Sequence, residues 1–242
     1  MTDALITAPA LRSLMASGQR FLLCDCRFDL AHPAQGEADH LASHLPGAVY
    51  LHLDRDLSAP KTDGARGRHP LPDRAAFARH LAGLGLHDDL PVVAYDGSGG
   101  MYAARLWWML RWVGHAAVQV LDGGLAAWDM AGGKLQGGPV AALAPGHLTL
   151  RPALVEAVDY SGLRAGLGQA GRLIVDARAA DRFRGENETL DPVGGHIPGA
   201  LNRCFRDNLA ADGSFKPAGQ LQAEWAAVTG GRPAAELVMQ CG

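Results

Sequence analysis

The stretch ELVMQCG, Glu236 to Gly242, carries a thiol at the end of a short apolar run. PVVAYDGSGG, Pro91 to Gly100, carries a carboxylate, Asp96, at the matching place. A cysteine delivered by a buried strand is a candidate nucleophile, because the thiolate reacts and a strand end presents it on a rigid support. An aspartate cannot do that chemistry. Asp176 and Arg178, in VDAR, and Arg182 and Arg184, in DRFRGE, follow another apolar run. In a parallel sheet they fall on the same carboxyl edge as Cys241. Asp25 and Arg27, in CDCR, repeat the Asp-x-Arg spacing without a nucleophile. That favours an ion pair holding the edge, rather than substrate contact, for Asp176 and Arg178. The other cysteines, Cys24, Cys26 and Cys204, read as small packed residues. None forms C-x-x-C, and no His/Cys cluster has zinc spacing. No metal or cofactor is expected. The glycines of DGSGG do not complete G-x-G-x-x-G, and no glycine loop follows the first strand, which excludes dinucleotide binding.

The elements that position these residues occur twice. LLCDCR (Leu22 to Arg27) resembles LIVDAR (Leu173 to Arg178), and HLPGAVY (His44 to Tyr50) resembles HIPGALN (His196 to Asn202). PVVAYDGSGG resembles ELVMQCG, and the three offsets are 151, 152 and 145 residues. Order and spacing are kept, so the chain reads as a tandem duplication. In the first copy FLLCD, GAVYLHL, PVVAYD and AVQVL read as strands. FARHLAGLGL, MYAARLWWMLRWVG and LAAW read as helices. The alternation predicts an α/β protein of two tandem domains, each a mostly parallel sheet flanked by helices. The expected division is a non-catalytic domain over 1–135, a Gly/Ala/Pro-rich linker over 136–150, and a catalytic-type domain over 151–242. Trp107, Trp108 and Trp112 fall at helical spacing and are expected in a packed core or interface. His44 and His196 sit in matching turns and read as architectural.

Taken with LDGGLAAW (Leu121 to Trp128), VDARAADRFRG (Val175 to Gly185) and GHIPGALN (Gly195 to Asn202), the chain resembles the two-domain rhodanese-type sulfurtransferases, the thiosulfate/3-mercaptopyruvate sulfurtransferase family. The resemblance runs from Leu11 to Gly242. It implies two rhodanese-like domains, the first inactive and the second carrying Cys241 as nucleophile. The implied reaction moves sulfane sulfur from 3-mercaptopyruvate or thiosulfate, through a Cys241 persulfide, to a thiol such as that of thioredoxin or to cyanide. The resemblance makes Arg182 a substrate-binding arginine, with Arg184 a further candidate. Mercaptopyruvate enzymes often carry a second arginine later in this loop, where the present chain has ENETLDP with Leu190 near the matching place. Gly242 after the cysteine points to the mercaptopyruvate type, and the absent second arginine points away from it. The resemblance also implies that Asp54 (in LHLDRD) and His69 (in GRHPLP) relay protons with a serine of the cysteine loop. In the family that loop has six residues, in many members C-G-S-G-V-T, of which Cys241 and Gly242 are the first two. The second domain is therefore expected to lack its last loop, helices and strand. A chain ending at Gly242 is expected to lack transferase activity, for want of the backbone amides that stabilise the thiolate and hold the persulfide.

Composition narrows the alternatives. The 242 residues are 48% hydrophobic and 19% charged, with formal net charge −3. That gives no electrostatic footprint for nucleic acid or an anionic membrane. No apolar run approaches the roughly 18 residues of a spanning helix, and the N-terminus lacks a secretory pattern. A cytoplasmic location is expected. A competing reading is a non-catalytic binding or regulatory module that keeps the sulfurtransferase shape, although it leaves the placement of Cys241 unexplained. A cysteine phosphatase would need an arginine six residues after the cysteine. The tandem copies and DGG-L-x-x-W argue against it.

Overall fold

The computed structural model describes residues 4–61, 67–168 and 171–241. The chain divides into two compact units, Met1–Glu156 with Asp212–Ser214, and Ala157–Ala211 with Phe215–Gly242.

In the first unit the elements run β1 (Leu5–Ile6), α1 (Ala8–Ala16), β2 (Leu22–Asp25), α2 (Gln35–Ala42), β3 (Val49–Tyr50) and α3 (Arg74–Gly83). They continue with β4 (Val92–Tyr95), α4 (Met101–Trp112), β5 (Val118–Leu121) and α5 (Gly124–Met130). The strands form one parallel sheet in the order β1-β5-β4-β2-β3. Every residue of β2 and β4 is buried, as expected of central strands covered on both faces. Strand alternation sorts their side chains into two cores. Leu22, Cys24, Val92 and Ala94 join Leu106, Met109 and Leu110 of α4, while Leu23, Val93 and Tyr95 join Leu11 of α1 and Trp128 of α5. Trp107, Trp108 and Trp112 pack partly buried against the first of these cores. Local signals set the helix starts: Thr7 caps α1 through Ala10 N–H (3.3 Å), and Asp73 caps α3 through Ala76 N–H (2.8 Å).

Residues 136–150 have no helix and are tied at several points along the first unit. Gln136 and His44 exchange both backbone hydrogen bonds (2.8 and 2.9 Å), and Gly146 N–H donates to Ala82 O (2.7 Å).

The second unit contains α6 (Tyr160–Ala165), β6 (Leu173–Asp176), α7 (Ala180–Arg184), β7 (Leu201–Asn202), α8 (Ala218–Thr229) and β8 (Leu237–Gln240). Short 3₁₀ turns occur at Phe205–Asn208 and Ala234–Glu236. Its parallel sheet has the order β7-β6-β8. That trio repeats β3-β2-β4 down to single hydrogen bonds. Cys26 N–H donates to Tyr95 O and Ala177 N–H to Gln240 O, both at 2.8 Å. Leu51 N–H donates to Asp25 O (2.9 Å) and Arg203 N–H to Asp176 O (3.1 Å). Among the described residues no helix is long and apolar enough to cross a membrane.

Candidate active site

Cys241 follows the last residue of β8 and is exposed, at the carboxyl end of its sheet. Gly242 lies outside the described residues. At the neighbouring end of β6, Arg178 folds back on Asp176. Its Nε donates to both carboxylate oxygens (3.1 and 3.0 Å), and its Nη2 donates to Asp176 Oδ2 and Gly195 O, both at 2.6 Å. Arg27 does the same with Asp25 in the first unit, its Nη2 reaching Asp25 Oδ2 and Ser43 O at 2.6 Å each. The second arm of the fork thus ties the H-[LI]-P-G-A turn to the strand end in both copies. All four side chains are buried, and buried charges persist only when paired in this way. Burial works to raise the Asp25 carboxyl, but hydrogen bonds from His40 and Arg27 outweigh it and hold the group below the ordinary range.

Arg182 is engaged. Its Nε and Nη2 grip Glu188 in a fork at 2.9–3.0 Å, and Nη2 also reaches Asp191 (3.1 Å). Glu188 further accepts the N–H groups of Leu190 (2.9 Å) and Asp191 (3.0 Å) and meets Arg178 at 3.4 Å. The Leu190 N–H first, then Arg182 and the Asp191 N–H, overcome desolvation and pull its carboxyl down to about 2. Arg184 stands apart, exposed and paired with Glu186 at 2.7 Å. The structure therefore gathers Asp176, Arg178 and Arg182 into one network and leaves Arg184 outside it. Glu188 and Asp191, two of the three acids of ENETLDP, went unread in sequence. Their signal was five carboxylates among the sixteen residues from Asp176 to Asp191.

In the first unit, Asp54 and His69 meet at 3.4 Å, with Lys61 3.1 Å from the same Asp54 oxygen. Burial, opposed by Asp54, draws the His69 imidazole down to about 4. His69 is therefore neutral at physiological pH and a weak base.

Asp96, at the position matching Cys241, is 1% exposed. Its Oδ1 accepts from the N–H groups of Ser98 (2.8 Å) and Gly100 (2.9 Å), and its Oδ2 from Tyr102 (2.9 Å) and Ala103 (3.0 Å). Gly99 and Gly100, at φ +75° and +86°, give the chain the left-handed turn that folds it round the carboxylate into α4. The loop and the helix N-terminus form an anion nest whose anion is the Asp96 side chain. In the second copy the residue at that place carries sulfur.

Parallel sheets covered by helices, duplicated, with a thiol at the end of the strand matching β4, define a rhodanese-fold protein. The rhodanese-like domain family matches residues 7–131. A Pseudomonas aeruginosa protein named "Probable 3-mercaptopyruvate sulfurtransferase" is 47% identical over 239 residues, covering 98% of this chain and 84% of that protein. The human 3-mercaptopyruvate sulfurtransferase is 36% identical over 230 residues, covering 89% of this chain and 72% of its own. The crystal structure of SseA from Escherichia coli, described as a 3-mercaptopyruvate sulfotransferase with the rhodanese fold, aligns with a TM-score of 0.82 at 28% identity. That alignment covers 100% of this chain and 89% of that one. The chain belongs to the rhodanese-type sulfurtransferase family.

Proposed function

We propose that the protein transfers sulfane sulfur through Cys241. The thiolate attacks the sulfur of 3-mercaptopyruvate, the carbon–sulfur bond breaks, and pyruvate leaves as its enolate and takes up a proton. Cys241 is left as a persulfide. An acceptor thiolate then attacks the outer sulfur and releases the Cys241 thiolate. Thiosulfate is the alternative donor and cyanide the alternative acceptor. Sulfur is soft and polarisable, so a thiolate is competent where the Asp96 carboxylate is not.

The observation that carries this reading is the pairing of Asp96 with Cys241. In the first unit backbone N–H donors surround this position, four of them bound to Asp96. A nest of that kind favours the thiolate and the persulfide over their neutral forms. Asp176 and Arg178 hold the strand edge that presents the cysteine. In this reading Arg182 meets the donor's anionic group in competition with Glu188 and Asp191, with Arg184 more peripheral. Asp54 and His69 carry the proton-transfer role, with His69 entering as a neutral acceptor.

The test is intact mass after treatment with 3-mercaptopyruvate. The protein should gain the mass of one sulfur atom, lose it to a thiol, and gain nothing as Cys241→Ser. Sulfur retained by the Cys241→Ser protein would overturn the reading.

A further inference from the structure

An anionic donor gains most from a cation that carboxylates do not already engage, and the arginines between β6 and β7, Arg182 among them, are all so engaged. From Asp176 to Asp191 there are five carboxylates and three guanidiniums. Each of the three guanidiniums is already paired: Arg178 with Asp176, Arg182 with Glu188 and Asp191, and Arg184 with Glu186. Taken alone this rim repels anions. Arg203, just past β7, is buried and held by Glu224 at 2.6 Å.

Arg206 differs. It is exposed, and among the described residues its guanidinium meets no carboxylate; it lies 5.7 Å from the centre of the Phe205 ring. A guanidinium on an aromatic face keeps its N–H edge available for a second partner. The backbone places this residue at the right rim. Phe205 N–H donates to Ala177 O (3.0 Å), and Ala177 N–H donates to Gln240 O (2.8 Å), so the segments leading to Arg206 and Cys241 flank the same residue. The order β7-β6-β8 separates those segments by two strand spacings, about 10 Å. That gap suits a small donor bound at one end by its anion and at the other by its sulfur. The repeat singles out the same position. Arg206 follows Asp54 by 152 residues, the offset of the H-[LI]-P-G-A blocks, and Asp54 is the carboxylate that meets His69 and Lys61. Both copies set a charge at this loop position, and its sign is reversed in the copy that carries the thiol.

We propose that Arg206 holds the anionic group of the sulfur donor, the carboxylate of 3-mercaptopyruvate or the charged oxygens of thiosulfate, while Cys241 takes the sulfur. The proposal rests on the sulfur-transfer reading and adds to it the residue that selects an anionic donor. A charge-assisted two-point contact implies a loss of about 10- to 100-fold in donor affinity when it is removed.

Steady-state kinetics with 3-mercaptopyruvate test this on the protein and its Arg206→Gln and Arg206→Lys variants. Arg206→Gln should raise KM at least tenfold with a smaller change in kcat, and weaken inhibition by pyruvate by a similar factor. Arg206→Lys should recover part of both. Arg206 is exposed, so an unchanged thermal midpoint separates the effect from misfolding. A wild-type KM in Arg206→Gln, in a protein that turns over, overturns the Arg206 assignment alone. A wild-type protein that neither turns over nor gains sulfur overturns the transfer reading, and this proposal with it.

Discussion

Asp96 and Cys241 stand at equivalent strand ends and divide the labour of one structural device. The aspartate closes its loop by being the anion; in the proposed reading the cysteine leaves that place for the transferred sulfur. Because Asp96 is buried and accepts four backbone N–H groups, removing it strands several donors at the start of α4. Asp96→Ala should destabilise the first unit by about 2–4 kcal/mol, the scale of losing buried charge-assisted hydrogen bonds. Asp96→Asn, which keeps one acceptor oxygen, should cost less. Urea unfolding followed by tryptophan fluorescence measures both, and a wild-type midpoint for Asp96→Ala would contradict the anion role. Glu188 gives a second prediction at this scale. Its folded carboxyl sits at about 2, below the ordinary 4.5. The stability it contributes is therefore complete above about pH 4.5 and is lost as pH falls from there through 2. Glu188→Gln should flatten the acid limb of the second unit's stability in that window and increase proteolysis between Gly185 and Gly195. An unchanged acid limb would mean that Arg182 and the turn do not depend on this charge.

Elements show how far pattern alone reaches. β2, β4, β5, β6 and β8 were legible because each is a short, mostly apolar run. β2 and β4 are covered on both faces as such runs suggest, whereas β5 carries Gln119 and β8, read as buried, leaves Met239 exposed. GAVYLHL, read as a strand of similar length, pairs only at Val49–Tyr50, because β3 is an edge with one neighbour. β1 is two residues long and sits beside β5, a partner more than a hundred residues away, so no local pattern announces it. The segment 136–150 looked like a linker by composition, and two of its glycines serve close contact: a Cβ at Gly146 would strike the Leu86 carbonyl, and one at Gly137 would lie 2.8 Å from the Ala42 carbonyl oxygen. Gly36 makes the same point as a prediction. It lies in α2, where Gly→Ala on helix propensity alone gains up to about 1 kcal/mol. A Cβ there would run into the Arg27 carbonyl oxygen and lie 2.6 Å from the Tyr50 hydroxyl, which itself donates to that oxygen at 3.1 Å. Gly36→Ala should therefore destabilise the first unit by about 1–3 kcal/mol, the cost of overpacking. A calorimetric midpoint at or above that of the wild type would show that the contact relaxes freely.

Over the whole molecule, the site was legible where the duplication made it so. Comparing two copies exposed the strand end where Asp96 gives way to Cys241, and it explained Asp-x-Arg as a shared brace. What stayed hidden were pairings set by three-dimensional turns, above all the capture of Arg182 by Glu188 and Asp191, which no spacing rule distinguishes from a solvated loop. The same division governs the four cysteines. Cys24 and Cys26 are each 1% exposed in the first unit, where burial pushes both thiols far up and makes them inert. Cys204 is half-buried and Cys241 exposed, both in the second unit. Thiol reactivity should therefore be confined to one half of the protein. A disulfide reagent at neutral pH should modify Cys241 first and Cys204 more slowly, and should reach Cys24 and Cys26 only after unfolding in guanidinium. Peptide mapping of the labelled sites checks the order. Prompt labelling of Cys24 or Cys26 in the folded protein would mean that β2 and its carboxyl end open, and that the first core does not confine thiol reactivity to the second unit as the burial of these thiols requires.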